Sequence, residues 1–399
     1  MVTFIWIVVG WISGWFLLRG MVQLDNHSYS STTSQPDAAT LHSQLQNASK
    51  SDLPNLSIII PARNEEKNIA RLLASLAEQT LTPVEVIVAN DDSQDNTGAV
   101  AMRMGAKVVK PGELPRGWLG KSWACWSGAQ AAQGDILVFL DADTYLEPEG
   151  LYNIALSCLR TKGFISVQPY HQMKRWYEQM SAFFNVIVLA GVGRGTRAQS
   201  NERSEDPYRH TTKPTISGAF GPCIACSKLD YFQVGGHEAI RGRILENYAL
   251  GLAFSKAGYV VRNYTGADTV NFRMYPDGFR SLIAGWSKSF ASGASTTSWI
   301  RLMLVILWIA GAVSSVTQWI GIMSNFGPPT LIAGSVLYVL YAIQLYLLFC
   351  RSGSFRTLTA LLFPLPLLVF IVIFVQSAIQ TFFRRKVQWK GRSITTGKE

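Results

Sequence analysis

Four stretches of this chain carry no charged residue: Met1–Leu18, Leu302–Met323, Leu331–Cys350 and Thr357–Phe383. A helix needs about 20 apolar residues to cross a bilayer. The stretches therefore predict an N-terminal membrane anchor over 1–22 and transmembrane or re-entrant helices over 302–383. The first lacks both a basic start and a small-residue cleavage site, which favours a retained anchor over a signal peptide. Pro364-Leu365-Pro366 interrupts the fourth, because proline removes a backbone donor and clashes with the preceding turn. Basic residues set membrane direction. Arg19, Arg301, Arg351 and Arg356 place residues 19–301 in the cytoplasm of a multi-pass cell-membrane protein. The basic tail over 384–399 joins that side only if the fourth stretch re-enters, which requires protein around its irregular backbone.

Composition agrees. Lys and Arg total 36 against 26 Asp and Glu, a net charge of +10, and charged residues make up 16%, below the soluble average of about 25%. A disordered chain, a collagen and a disulfide scaffold are excluded. The five cysteines include a CxxC at Cys223 and Cys226. It has no second pair and is read as structural.

Residues 23–55 are polar and read as a tether. A run of alternating elements then begins. Leu56–Ile60, Val84–Ala89, Lys107–Lys110 and Ile136–Leu140 suit buried strands. Glu65–Gln79, Ser93–Met104 and Lys121–Gln133 suit helices, and Gly134 suits the C′ position of the last. Apolar strands alternating with helices predict a covered parallel sheet, so 56–270 is assigned to one α/β domain and 271–301 to an interfacial segment. Met180–Val192 is apolar but too short to span.

Ligands of open α/β sheets bind at the carboxyl ends of the strands. Polar clusters stand at those ends: Pro61-Ala62-Arg63-Asn64-Glu65-Glu66, Asn90-Asp91-Asp92-Ser93 and Asp141-Ala142-Asp143. A further cluster, Gly120-Lys121-Ser122, opens a helix, where backbone N–H groups favour anions. Each alone suits a turn or a cap. Together the carboxylate pair suits a hard divalent cation such as Mg²⁺, which takes one or two carboxylates plus phosphate oxygens, and the nearby Lys121 adds charge for a diphosphate.

These residues resemble the inverting family 2 glycosyltransferases, whose GT-A fold is a Rossmann-like nucleotide-sugar-binding domain. That family carries an IPxxNE start, an aspartate after the second strand, a GK helix and a DxD. The counterparts here are Ile60-Pro61-Ala62-Arg63-Asn64-Glu65, Asp91, Gly120-Lys121 and Asp141-Ala142-Asp143. The resemblance implies that Pro61, Ala62, Arg63, Glu65 and Asp91 hold the uridine and that Lys121 meets the diphosphate. It makes Asp143 the chief metal ligand, with Asp141 beside the ribose and the metal.

Segments farther along narrow the resemblance. They include Ser166–His171, Gly235-Gly236-His237, Glu246–Gly251, Phe272–Tyr275, Gly285–Lys288 and Val387–Arg392. They resemble bacterial members that join glucose from UDP-glucose to the carboxyl group of a C30 carotenoid acid. The implied partners are UDP-glucose, an apolar membrane acceptor and the bilayer, with no nucleic acid.

Two departures from the family pattern bear on function. Many members carry Glu-Asp where this chain has Glu246-Asn247, and the Asp is the base for a hydroxyl acceptor. Either Glu246 takes that role, or the acceptor is a carboxylic acid already ionised at neutral pH and needs no base. Asn247 as a helix-start residue is the plain structural alternative. Polymerising and lipid-modifying members often carry a Q/RxxRW pattern; in Leu282-Ile283-Ala284-Gly285-Trp286 the tryptophan remains but the glutamine and arginine positions do not match, which argues against a cellulose- or hyaluronan-type processive synthase.

Arg273 and Lys288 are candidates for meeting an acceptor carboxylate, or else face lipid headgroups. Trp286 is a candidate for stacking on the acceptor or sugar, or else an interfacial anchor. His171 and His237 lack metal-ligand spacing. Two alternative functions stay open. One is transfer to the hydroxyl of another membrane lipid, such as a hopanoid, a diacylglycerol or a ceramide-like lipid. The other is a non-catalytic nucleotide-sugar-binding scaffold. In the enzyme readings the apolar acceptor enters laterally, between Met180–Val192 and the spans.

Overall fold

The computed structural model describes residues 2–24, 53–193, 195, 218–243, 245–325, 328–380, 386–389 and 392–395. Most of the tether, the polar loop beyond 195 and much of the basic tail lie outside them. The chain forms two compact units. One comprises residues 21–170 and 194–272, the other residues 1–20, 171–193 and 273–399.

The first unit is built on an eight-stranded sheet. Its strands are β1 (Val22–Gln23), β2 (Leu56–Ala62), β3 (Glu85–Asn90), β4 (Lys107–Val109), β5 (Ile136–Leu140), β7 (Phe164–Gln168), β9 (Cys223–Ser227) and β10 (Val261–Thr265). The spatial order is β1-β10-β7-β9-β5-β2-β3-β4. β6 (Thr144–Leu146) pairs antiparallel with β11 (Val270–Phe272) outside this sheet. The short β8 (Tyr170–His171) stands where the chain leaves the unit.

Side chains alternate across each strand, and the sheet has a core on each face. Ile58 and Ile60 of β2 and Val138 and Leu140 of β5 join Ile69, Leu72, Leu73 and Leu76 of helix Glu66–Ala77. Ile59, Leu137 and Phe139 face the other way, against Cys125 and Ala129 of helix Gly120–Ala131 and Leu250 and Phe254 of helix Glu246–Lys256. Helices therefore cover both faces.

The sheet is mixed. β9 runs antiparallel to both β5 and β7, which corrects the expectation of an all-parallel sheet. From β2 the chain builds outward through β3 and β4, then returns to the other side of β2 with β5. This reversal is a topological switch point, where the carboxyl ends of neighbouring strands diverge and leave a crevice.

Gly134 has a different role from the one expected. Helix Gly120–Ala131 ends without a left-handed residue there. A Cβ on Gly134 would lie 2.7 Å from both the Asn55 carbonyl oxygen and the Ser57 nitrogen. The glycine permits backbone to pass backbone. Val22 and Gln23, at the anchor–tether border, pair with Tyr264 and Thr265 as an edge strand, and Leu24 beside them is buried.

The second unit is helical. Helix Ala182–Val192 lies in its core. The Phe183 ring packs on Trp308, Phe349 and Phe370, and the Phe184 ring on Trp286 and Phe370. These ring contacts lie on the side of the helix where an acceptor path was expected. Helices Trp299–Asn325 and Pro328–Cys350 each contain a segment long and apolar enough to cross a membrane, Trp299–Gly321 and Ile332–Cys350. The other two apolar stretches give shorter helices, Phe4–Leu17 and Pro364–Ile379. The fourth stretch breaks between helix Thr357–Leu361 and helix Pro364–Ile379, with Pro364 in the first turn, where a missing N–H costs nothing. Among the described residues, length and composition give two helices of spanning length, where four crossings or re-entries were expected.

Candidate active site

The candidate residues of the first unit gather at the carboxyl ends of β2, β3 and β5. Pro61 and Ala62 are the last residues of β2, paired with Ala89 and Asn90. Asn64 and Asp92, in the loops after β2 and β3, have φ of 54° and 52°, a left-handed conformation that Asn and Asp tolerate better than most residues. The two loops are tied together. Asn64 Oδ1 accepts from the Gln94 N–H at 2.7 Å, and the Asn64 N–H donates to Ser93 Oγ at 3.0 Å.

Arg63 reaches across to β3. Its guanidinium donates to the Asp91 carbonyl at 2.8 Å and lies 3.5 Å from the Asp91 carboxylate. Asp91 is buried, so the pair forms in a setting of reduced screening. Glu65 Oε2 accepts from Asn68 at 2.8 Å, and the Glu65 N–H donates to Thr97 Oγ1 at 2.8 Å.

The turn after β5 presents Asp141 and Asp143. The Asp141 N–H donates to the Pro222 carbonyl at 2.9 Å, and its own carbonyl accepts from the Thr144 N–H at 3.0 Å and hydroxyl at 2.7 Å. Burial, followed by the charges of Asp141 and Glu65, pushes the Asp143 carboxyl up to about 7. Such a concentration of negative charge is relieved by a cation.

Lys121 supplies one positive charge. Its Nζ lies 2.7 Å from Asp141 Oδ1 and 3.1 Å from Glu246 Oε1. Burial works against its charge, but the two carboxylates outweigh it and raise its pKa. The lysine is fixed as a cation between Asp141 and Glu246.

Glu246 opens helix Glu246–Lys256, with Asn247 next to it. Asn247 Nδ2 donates to Glu246 Oε1 at 3.1 Å and to the Gly221 carbonyl at 3.2 Å. Both partners are acceptors, so this position needs a donor. Glu246 Oε1 therefore receives both the lysine and the amide.

Two groups outside the sequence-based set take part. The backbone of Gly221-Pro222 joins Asp141 to Asn247. Arg71 donates to the Asp143 carbonyl at 2.9 Å. Tyr231 and His237 pair in the core on the Lys121 side of the sheet, with the Tyr231 hydroxyl 2.7 Å from His237 Nδ1. Burial, and then the Lys121 charge, lower the His237 pKa to about 3. His237 is thus a neutral core residue. The Cys223 and Cys226 side chains enter the two opposite cores, so this CxxC cannot close on one ligand.

The acceptor candidates belong to the second unit. Arg273 gives Nε and NH2 to Glu178 Oε1 at 2.9 and 2.6 Å. Glu178 is buried and also accepts from the Arg175 N–H at 2.8 Å. The arginine's charge is met by an internal carboxylate, which leaves less of it for an acceptor. Trp286 is buried, stacks on Phe184 at 4.7 Å and donates its indole N–H to Ser181 at 3.2 Å. The Lys288 side chain lies outside the described residues.

The family model for "Glycosyl transferase family 2" matches residues 57–228. A 4,4'-diaponeurosporenoate glycosyltransferase of Staphylococcus aureus (strain MRSA252) is 37% identical over 350 residues, covering 86% of this chain and 89% of the relative. The protein of the same name from strain USA300 is 36% identical over 348 residues, with the same coverage. A solved mannosyltransferase of Pyrobaculum calidifontis, in complex with GDP-Man and Mn²⁺, has a TM-score of 0.48 and 14% identity, covering 86% of this chain and 93% of that one. The extent and level of identity to the Staphylococcus proteins, with the family match over the strands and turns that form the site, make this chain a glycosyltransferase belonging to family 2.

Proposed function

We propose that this enzyme transfers glucose from UDP-glucose, with inversion, to the carboxyl group of a C30 carotenoid acid such as 4,4'-diaponeurosporenoate, giving a glucosyl ester at a membrane. The relatives' name supplies the acceptor class. The observation that carries the chemistry is the occupancy of Glu246: one oxygen receives both Lys121 and Asn247. A carboxylate engaged in this way is a poor base for a hydroxyl. An acid acceptor has no proton to give up at neutral pH.

In this scheme an acceptor carboxylate oxygen forms the bond to the anomeric carbon on the face opposite UDP. The bond from that carbon to the diphosphate oxygen breaks, and its electron pair leaves with UDP. No proton moves. Arg63, Glu65 and Asp91, with Pro61 and Ala62 as a wall, hold the uridine. Lys121, held by Asp141 and Glu246, presents its charge to the diphosphate as charge develops there.

Asp143 and Asp141 would hold a divalent cation, Mg²⁺ or Mn²⁺. Hard carboxylate oxygens suit either ion. Among the described residues, no group of three or more His, Cys, Asp or Glu side chains forms a protein cage. This fits an ion that takes its remaining ligands from phosphate and water. When bound, the ion supplies charge neutralisation of the departing diphosphate.

The test is an acceptor panel in purified membranes with UDP-glucose and Mg²⁺. It compares a C30 carotenoid acid, the matching alcohol and a diacylglycerol, with Asp143→Ala as the inactive control. An alkali-labile glucosyl ester formed from the acid alone supports the proposal. Transfer to the alcohol or the glycerolipid alone refutes the acid acceptor and makes Glu246 the base.

A further inference from the structure

Helix Glu66–Ala77 buries Ile69, Leu72, Leu73 and Leu76. Beside this apolar face stand Arg71 and Ser75, four apart and so neighbours on the helix, and Gln79 continues the same spacing just past the helix end. All three bond to the backbone that leaves the Asp141–Asp143 turn. Arg71 donates to the Asp143 carbonyl at 2.9 Å. Ser75 Oγ accepts from the Leu146 N–H at 3.1 Å. Gln79 donates to the Glu147 carbonyl and accepts from the Leu151 N–H, both at 2.8 Å.

The same segment pairs with β11 through Thr144–Leu146. Side chains of the helix thus act on it as a second neighbouring strand would. Arg71 is itself held, with its guanidinium 4.9 Å from the centre of the Tyr145 ring, a cation–π distance.

We propose that Arg71 is a positioning residue for Asp143: through the Asp143 carbonyl it sets where that carboxylate meets the cation and diphosphate. This rests on the donor-site reading above. Outer partners that orient a metal ligand tune affinity without touching the metal. Ser75 and Gln79 act farther along and hold the strand that follows.

The experiment is calorimetric titration of Mn²⁺ into the full-length detergent-solubilised protein with saturating UDP. It uses wild type, Arg71→Met, Arg71→Lys, Tyr145→Ala and Ser75→Ala, each with its melting temperature. Arg71→Met is expected to weaken Mn²⁺ binding about tenfold or more, and Arg71→Lys to recover part of the loss. Tyr145→Ala, which frees the guanidinium without removing its charge, is expected to weaken it severalfold. It keeps the test decisive if Arg71→Met does not fold. Ser75→Ala is expected to lower the melting temperature while Mn²⁺ affinity stays at the wild-type value.

Wild-type affinity in folded Arg71 and Tyr145 variants overturns the inference alone. Equal loss in Ser75→Ala also overturns it, because the row then acts only through stability. A wild-type protein that binds UDP but no Mn²⁺ overturns the cation reading and this inference with it.

Discussion

Lys121 stands between Asp141 and Glu246, so replacing it removes the shared counter-charge of two carboxylates. Lys121→Met is expected to lower kcat by about 10²–10³, the scale seen when one charge-stabilising group is lost. UDP affinity should change far less than kcat, a split readable in parallel binding and rate measurements. A loss confined to UDP affinity would assign the lysine to binding alone. Asn247 gives a sharper test of how the site is wired. Its amide donates to two acceptors, so Asn247→Asp sets a carboxylate against a carbonyl and another carboxylate. The change should cost roughly 1–3 kcal/mol of stability, the penalty for leaving buried acceptors unpaired. Thermal denaturation checks it, and an unchanged melting temperature would mean that the amide bonds carry no weight. If Asn247 keeps Glu246 from acting as a base, the same variant should also gain transfer to the alcohol relative to the acid.

At the scale of elements, much was legible because local pattern and tertiary demand agree. The strand expected at Ile136–Leu140 is β5, an unbroken apolar run buried on both faces. Helix Glu66–Ala77 lies within the expected Glu65–Gln79, since its apolar residues recur at helical spacing. The antiparallel β9 was not legible. Cys223–Ser227 is a short apolar run, and nothing in such a run states direction. The contact of Lys121 with Glu246 was equally hidden, because it joins positions far apart in the chain whose separation only the fold removes. The row Arg71, Ser75, Gln79 did leave a signal, a polar repeat of four beside an apolar face. Its partners, being backbone groups, have no letter in the sequence. In the helical unit, small residues record a close crossing. A Cβ on Gly10 would lie 2.6 Å from the Gly311 Cα, and one on Gly311 would lie 2.8 Å from the Gly10 Cα. Small residues let helix backbones approach in this way. Gly10→Leu is therefore expected to separate helix Val2–Leu17 from helix Trp299–Asn325. The check is crosslinking of cysteines placed on the two helices, and an unchanged crosslinking yield would contradict the close crossing.

For the whole molecule, acid exposes a weakness that each unit carries separately. In the helical unit, His171 is buried, with Nδ1 2.7 Å from Asn185 Nδ2. Burial pulls its pKa from 6.5 down to about 4, against the opposing pulls of Asn185 and Glu178. In the sheet unit, His237 falls to about 3. Both are neutral when folded and take up protons near pH 6.5 when unfolded. The unfolded state thus binds more protons below that pH, and linkage makes stability fall as pH falls. The loss begins near 6.5 and continues to about 4 for His171 and about 3 for His237. Asp143 acts in the opposite sense. Its folded pKa of about 7 exceeds the ordinary 3.8, so acid favours its folded form across that window. The histidine contribution is best read in an Asp143→Asn background, between pH 7 and 5, where ordinary carboxylates remain ionised. There the melting temperature should decline with acidification, and His171→Gln and His237→Gln should each flatten the decline. A melting temperature independent of pH across that range would mean that the two imidazoles are solvated in the native protein. The buried hydrogen bonds assigned to them would then be absent.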